Sequence, residues 1–295
     1  MARRAIDEAG VAKTIYGISR FSDPASQDAL ASAGVRTVSC DLLDREAVAQ
    51  LPKVANVIYM VGRKFGTRGA QALTWATNVS VPDNVSHHYR ESRIVVFSTG
   101  CVYPLVPVSS GGCTEGTPPD PVGEYAQSCL GRERVFSYWS ETWGTPVCFM
   151  RLNYAIDLRY GVLYDIGFRV FSGKPVDLTV SHFNAIWQGD ANDWALRCLE
   201  ACASPPSILN VTGPETVSVR FVAEAFARLF GVQATFTGDG SGGRMYLSNA
   251  AAAVERFGYP SVPLMTMIRW QAAWIQGGGR SLHKPTHFGV VDGDF

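Results

Sequence analysis

Three residues of this 295-residue chain, a threonine, a tyrosine and a cysteine, are the best placed for chemistry. Thr99 ends the run Ile94-Val95-Val96-Phe97-Ser98-Thr99-Gly100-Cys101, which reads as a buried strand stopped by small polar residues and a glycine. A hydroxyl there stands where open α/β sheets bind ligands, outside the carboxyl ends of parallel strands. About 25 residues on, Glu124-Tyr125-Ala126-Gln127-Ser128-Cys129-Leu130-Gly131-Arg132-Glu133 reads as the start of a helix, with Cys129 one turn after Tyr125 on the same face. A phenol titrates near ~10, and general acid/base work at neutral pH wants it nearer ~7, a gap worth roughly 4 kcal/mol of phenolate stabilisation. A nearby cation can supply that energy. A neutral thiol adds little, and a thiolate would oppose it.

The pattern Ser98-Thr99-x-x-Val102-Tyr103, then Tyr125-x-x-x-Cys129-x-x-x-Glu133, resembles the extended short-chain dehydrogenase/reductases, the NAD(P)-dependent sugar epimerases, dehydratases and reductases. The resemblance runs co-linearly over about residues 1 to 230. It implies that Thr99 orients a substrate oxygen, that Tyr125 is the acid/base, and that Cys129 stands where the family has a lysine. Three readings of that cysteine stay open. Arg132, two turns past Tyr125, supplies the cation, or is a solvated helix residue. Cys129 is itself an acid/base or nucleophile, or a buried inert thiol. Redox catalysis is weakened or lost, leaving Thr99 and Tyr125 as ligand contacts.

The same resemblance places the cofactor. Arg20, closing the strand Lys13 to Arg20, tilts the choice to NADP over NAD, against a plain exposed arginine. Asp41 and Leu42 become adenine-side contacts, although Asp41 could equally cap a helix, as expected of Asp44 before Arg45 to Gln50. Val61 and Gly62 end the strand Val54 to Val61 under the cofactor, Lys64 nears a phosphate or is a solvated turn residue, and Asn78 lies behind the nicotinamide on register alone. Cys101, Asn153, Arg159 and Gln188 are the substrate candidates; Arg159 competes with a surface ion pair to Asp157 or Asp165. The family's first strand and Gly-x-x-Gly-x-x-Gly turn are not found. Either the chain as given begins after them or the protein lacks its pyrophosphate cradle, and two strands should then show unpaired edges.

The elements that must position these residues read as an α/β, doubly wound parallel sheet. A dinucleotide-binding unit over residues 1–155 is followed by a small substrate lobe over 156–295, with a late strand and helix returning to the core. The first ten residues read as a helix tail, and Asp23 to Gly34 as a helix with Leu30 and Ala33 inward. The remaining strands fall at Val35 to Cys40, Val147 to Tyr154 and Leu209 to Gly213; Ile186 to Ala191 resembles the family's strand-into-helix segment, its helix continuing through Trp194, Leu196 and Leu199, and a helix capped at Ser218 covers Phe221 to Leu229. Formal net charge is zero, which gives no reason to expect a nucleic acid or acidic membrane as partner. No run nears the ~20 apolar residues of a membrane span. Seven scattered cysteines without a Cys-x-x-Cys pair suggest reduced thiols in the cytoplasm, and no metal site is expected, His283 and His287 being separated by Pro285. Trp75, Tyr138 and Trp139 suit a homodimer through paired helices. The expected function is an NAD(P)-dependent epimerase, dehydratase or reductase on a sugar-like substrate; its rival is a non-catalytic sensor of a dinucleotide or sugar.

Overall fold

The computed structural model describes residues 14–64, 66, 69–240 and 243–284, together with Met1, Ala5, Thr286, Phe288, Gly289 and Gly293. Its centre is β4 (Arg93–Thr99), whose apolar half is buried at Ile94, Val95 and Val96. A strand covered on both faces is expected to be apolar without alternation. It pairs in parallel with β3 (Asn56–Tyr59) on one side and β5 (Val147–Leu152) on the other, with Ser98 opposite Arg151 and Thr99 opposite Leu152. Beyond β5 lies β6 (Ser207–Val211), also parallel, completing a four-stranded sheet in the order β6-β5-β4-β3.

The first two strands, β1 (Tyr16–Ser19) and β2 (Arg36–Ser39), form a separate parallel pair. Among the described residues no ladder joins β1 to β3, so each of these strands pairs on one side only. In the doubly wound order 3-2-1-4-5-6 the position between them belongs to the central strand. The two sheets are nevertheless held by one core, in which Ile18 and Val38 pack against the cluster of Val48, Tyr59, Ile94, Val96, Phe136 and Phe149. The opposite face of β4 and β5 packs Val95 and Met150 against Trp194 and Val211. The expected N-terminal helix lies outside the described residues except at Ala5, which is helical and donates to the Met1 carbonyl.

Helix α1 (Pro24–Ser32) is capped by Asp23, which accepts from the Ala25 N–H, and Gly34 at φ +82° ends its turn. The inward pair Leu30 and Ala33 is only half-buried, and no residue of this helix is fully buried. Asp44 caps α2 (Arg45–Ala49) through the Glu46 and Ala47 amides. Helix α3 (Gln71–Trp75) runs through a π-helical stretch, Ala76–Ser80, into α4 (Val81–His88). Helix α5 (Gly123–Trp143) carries Tyr125 and ends at Gly144, φ +73°. After Tyr154 a second core forms from α6 (Val162–Phe171), α8 (Val219–Phe230) and α10 (Leu264–Gln276), centred on Ile166, Phe183, Phe226 and Ile268. Between them α7 (Gln188–Arg197) returns Trp194 to the sheet, and α9 (Ala251–Phe257) packs Phe257 beside it.

Candidate active site

At the end of β4 the chain turns sharply. The Thr99 hydroxyl oxygen accepts the Cys101 N–H at 3.1 Å and so caps a short 3-10 turn, Gly100–Val102. That turn carries Cys101 toward α5. On α5, the half-buried Tyr125 and the fully buried Cys129 pack with Val102, Tyr103 and Cys113. A side-chain hydrogen bond links the Tyr125 phenol to the Cys129 thiol. Burial holds the phenol well above its usual 10.0, the thiols of Cys129 and Cys101 push it the same way, and Arg132 pulls it down. Burial pushes the Cys129 thiol up to about 11, against the pull of Arg132. A thiol in that range is neutral at pH 7, so the nucleophilic reading of Cys129 loses its thiolate.

Arg132 is not the solvated helix residue that its position suggested: it is 95 % buried. Nη1 donates to the Phe97 carbonyl at 2.8 Å and Nη2 to Asn78 Oδ1 at 2.9 Å, while Cζ lies 5.9 Å from the centre of the Tyr59 ring. Nη2 also sits so close under Gly62 that a Cβ there would lie 2.6 Å from it. Asn78, placed on register alone, is buried as well. It is wholly buried in the π-helical stretch, a form of helix often found at functional sites. Its Oδ1 also accepts the Arg63 N–H at 2.7 Å, and Nδ2 donates to the Ser128 hydroxyl at 2.8 Å and the Arg63 carbonyl at 3.2 Å. One asparagine thereby ties the end of β3 to α5 and holds Arg132 in place.

Beside Arg132, Glu133 points elsewhere. It receives Arg151 bidentately, Nε at 3.0 Å and Nη2 at 2.6 Å, and accepts the Ser98 hydroxyl at 2.5 Å. The Arg151 guanidinium stacks over the Tyr103 ring at 4.6 Å, and the Tyr103 hydroxyl donates to Asn210 Oδ1 at 2.9 Å. This buried chain locks β4, β5, β6 and α5 behind the site.

The other expected residues divide. Asn153 is buried at the end of β5 and its Nδ2 donates to the Tyr246 carbonyl at 3.5 Å. Lys64 is half-buried and near enough to Cys101 to pull its thiol down, although burial raises that thiol overall. Val61 is half-buried and Gly62 exposed at the end of β3. Leu42 packs half-buried on the core, and Asp41, exposed, accepts the Leu43 N–H in a tight turn. Arg20 is exposed beyond β1. Arg159 is held by Asp157 at 2.7 Å, which satisfies the surface ion-pair reading. Gln188 is exposed at the first turn of α7 and joins none of the site contacts. His287 lies outside the described residues, among which no cluster of His, Cys, Asp or Glu could hold a metal. Tyr154 was missed: at φ +40° it enters the neighbourhood of Cys101 and Tyr246, and burial holds its phenol well up. Only its place directly after Asn153 could have drawn notice.

Two parts of this arrangement fit a nicotinamide dinucleotide, one at its middle and one at its adenosine end. Gly62 gives close backbone approach over a buried cation, and Asp41 and Leu42 stand at the end of β2. The pyrophosphate turn is not among the described residues. A doubly wound sheet with Thr99 at one strand end and Tyr125 on the helix that follows defines a protein of the short-chain dehydrogenase/reductase type. The sequence profile of the NAD dependent epimerase/dehydratase family matches residues 2–155, just over half of the chain, and the chain belongs to that family. No curated protein sequence matches it. Among solved structures, UDP-glucuronic acid 4-epimerase from Bacillus cereus in complex with NAD superposes with a TM-score of 0.75 at 15% identity, covering 94% of each chain. UDP-glucose 4-epimerase from Thermotoga maritima with UDP-glucose gives 0.74 at 13% identity, over 93% of this chain and 94% of that one. RMD from Pseudomonas aeruginosa complexed with NADPH gives 0.67 at 19% identity, over 88% and 98%. At these identities the likeness is one of fold.

Proposed function

We propose that the protein is an NAD(P)-dependent epimerase, dehydratase or reductase acting on a sugar or sugar-nucleotide-like substrate. The observation that carries this reading is the convergence of Thr99, Cys101 and Tyr125 at the end of β4, with the buried Arg132 guanidinium behind them. Thr99 and Cys101 orient a substrate oxygen, and Tyr125 gives or takes its proton. Tyr154, Asn153 and Lys64 line the same side. Asp41 and Leu42 hold the adenosine end of the cofactor, Val61 and Gly62 its middle, and Asn78 fixes the wall behind the nicotinamide. A bound nicotinamide supplies hydride exchange with the substrate carbon. Arg20 favours the 2′-phosphate of NADP over NAD. The family and the ligands named for the similar structures support the cofactor and substrate classes. No helix among the described residues is long and apolar enough to cross a membrane. A homodimer through α4 and α5 is supported by the aromatic surface of Tyr138 (61 % exposed), Trp75 and the stacked Trp139–Trp143 pair at 4.2 Å.

Calorimetry with NAD(H) and NADP(H) tests the reading, on this chain and on a version preceded by a parallel strand and glycine-rich turn. Binding by either form, followed by loss of UDP-sugar turnover in Tyr125→Phe, is the expected result. Binding by neither would remove the redox reading. A second reading, a ligand sensor on the same fold, is favoured by the phenol being held well above neutral pH and by the one-sided pairing of β1 and β3. In a sensor, Tyr125→Phe would change affinity modestly and no turnover would be found.

A further inference from the structure

Arg132 carries a full positive charge into the interior, and among the described residues no carboxylate pairs with it. Its two hydrogen-bonding partners, the Phe97 carbonyl and the Asn78 side-chain amide, are neutral. The nearest acid in sequence, Glu133, is committed bidentately to Arg151. Arg132 Nε is buried with no hydrogen-bond partner among the described residues. An isolated buried ion costs several kcal/mol, and a protein retains one where an anion arises or arrives beside it.

We infer that Arg132 is a positioning residue whose buried guanidinium provides, from two turns along α5, the positive charge that stabilises the deprotonated form of Tyr125. Cys129 is the neutral spacer between them, hydrogen-bonded to the phenol and packed in its cluster. The ionisable groups around the phenol are few. Cys129 and Arg132 face it from its own helix and Cys101 from the turn after β4; Lys64, after β3, acts on Cys101, and Cys101 in turn on Tyr154, after β5. Tyr59 on β3 lies under Arg132 rather than beside the phenol. Of these, Arg132 is the cation that lowers Tyr125, and it stays charged because a guanidinium does not lose its proton in a protein and this one is held above its ordinary value. This inference rests on Tyr125 being the acid/base, and the test below reads the charge whether or not turnover is found.

The experiment is a titration of Tyr125 in ring-labelled protein by NMR, its resonance assigned from Tyr125→Phe, in the parent, Arg132→Met, Arg132→Gln, Arg132→Lys and the double substitution Arg132→Met with Cys129→Lys. Loss of the cation should move the Tyr125 titration up by at least about one pH unit, and Arg132→Lys should leave it within a few tenths. The double substitution returns a cation one turn from the phenol and should bring the titration back down. Where turnover is measurable, kcat at neutral pH should fall about tenfold or more in the Met and Gln variants with KM little changed, and the activity limb should move to higher pH by the same amount as the NMR titration. An unchanged Tyr125 titration in Arg132→Met and Arg132→Gln overturns the inference. If dinucleotide binding alone collapses in those variants, Arg132 serves a cofactor phosphate, which overturns it equally. Should the Met variant not fold, the Gln variant, which keeps a donor without the charge, gives the same reading. Absence of dinucleotide binding in the parent would remove the enzymatic reading and leave the titration result standing.

Discussion

Helix α5 buries two adjacent charges, Arg132 and Glu133, in opposite company. Glu133 meets Arg151 with two hydrogen bonds and takes a third from Ser98, and the pair is 3–4 % exposed. Every lone pair that matters there is satisfied, and the chain continues through Tyr103 to Asn210 on β6. Arg132 has neutral partners and an idle Nε. The difference teaches how to read buried charge. A paired charge fixes strand to strand and helix to sheet, whereas an unpaired one adds no stability and marks where an anion is to be stabilised. One residue of separation turns the helix by roughly 100° and so sends the two side chains to different tasks.

The largest effect that would test this contrast comes from Glu133→Ala. It strands Arg151 in the core and should cost about 3–5 kcal/mol in denaturant unfolding, whereas replacing Glu133 and Arg151 together by leucine and methionine should cost much less. A loss under 1 kcal/mol for the single substitution would mean the pair is not the lock that its geometry indicates. Asn78→Ala comes next, at about 2–3 kcal/mol, because it leaves the Arg63 N–H and one Arg132 donor unsatisfied in the interior. That variant should also raise the Tyr125 titration, since Arg132 loses its anchor, and a stability loss without that rise would separate the two roles of Asn78.

Much of this site was legible in the sequence because its parts are local. The run from Ile94 to Phe97 has no hydrophilic interruption and is stopped by Ser98 and Thr99, so its strand and its end could be placed, and Tyr125 and Cys129 share a helix face by spacing alone. The late strand and the Ser218 cap followed from the same kind of pattern. Arg132 was left with two readings and Asn78 was placed on register alone, and the burial of both was illegible for one reason. An arginine on a helix or an asparagine at register position is solvated unless distant segments supply carbonyls and hydroxyls, and these come here from β3, β4 and α5 itself, fifteen to fifty-four residues away. Gln188 stands exposed at the first turn of its helix, and a strand-into-helix motif places a residue in sequence without saying which side of the helix it takes. Arg159 had two open readings, and the ion pair to Asp157 is the one whose geometry is present, in the short turn that brings Tyr160 back to Asp157.

The Cys129 thiol offers a smaller, pH-dependent test of the unpaired side. Its folded pKa is raised, to about 11, above the 9.0 of an ordinary thiol, so the folded state favours the protonated form. The stability it allows is fully present below the unfolded pKa and is lost as pH rises through about 9 to about 11. Cys129→Ala should therefore flatten the alkaline fall in stability across that window by up to about 2.7 kcal/mol, read as the difference between the two stability-versus-pH curves. A parallel pair of curves would show that the thiol is more solvated than its packing indicates.

The smallest change in stability should come from Gly62→Ala, and it addresses the contrast most directly. The added Cβ would lie 2.6 Å from Arg132 Nη2, the far end of a flexible side chain, so the guanidinium yields at a cost of about 1 kcal/mol rather than the backbone breaking. Nothing in the Glu133–Arg151 lock touches Gly62, and that half of the helix should be unaffected. If the guanidinium serves Tyr125, moving it by a few tenths of an ångström should still shift the phenol titration measurably upward in a protein that unfolds almost as the parent does. If Arg132 were only a piece of packing, the stability cost would appear alone, with the titration of Tyr125 where it was.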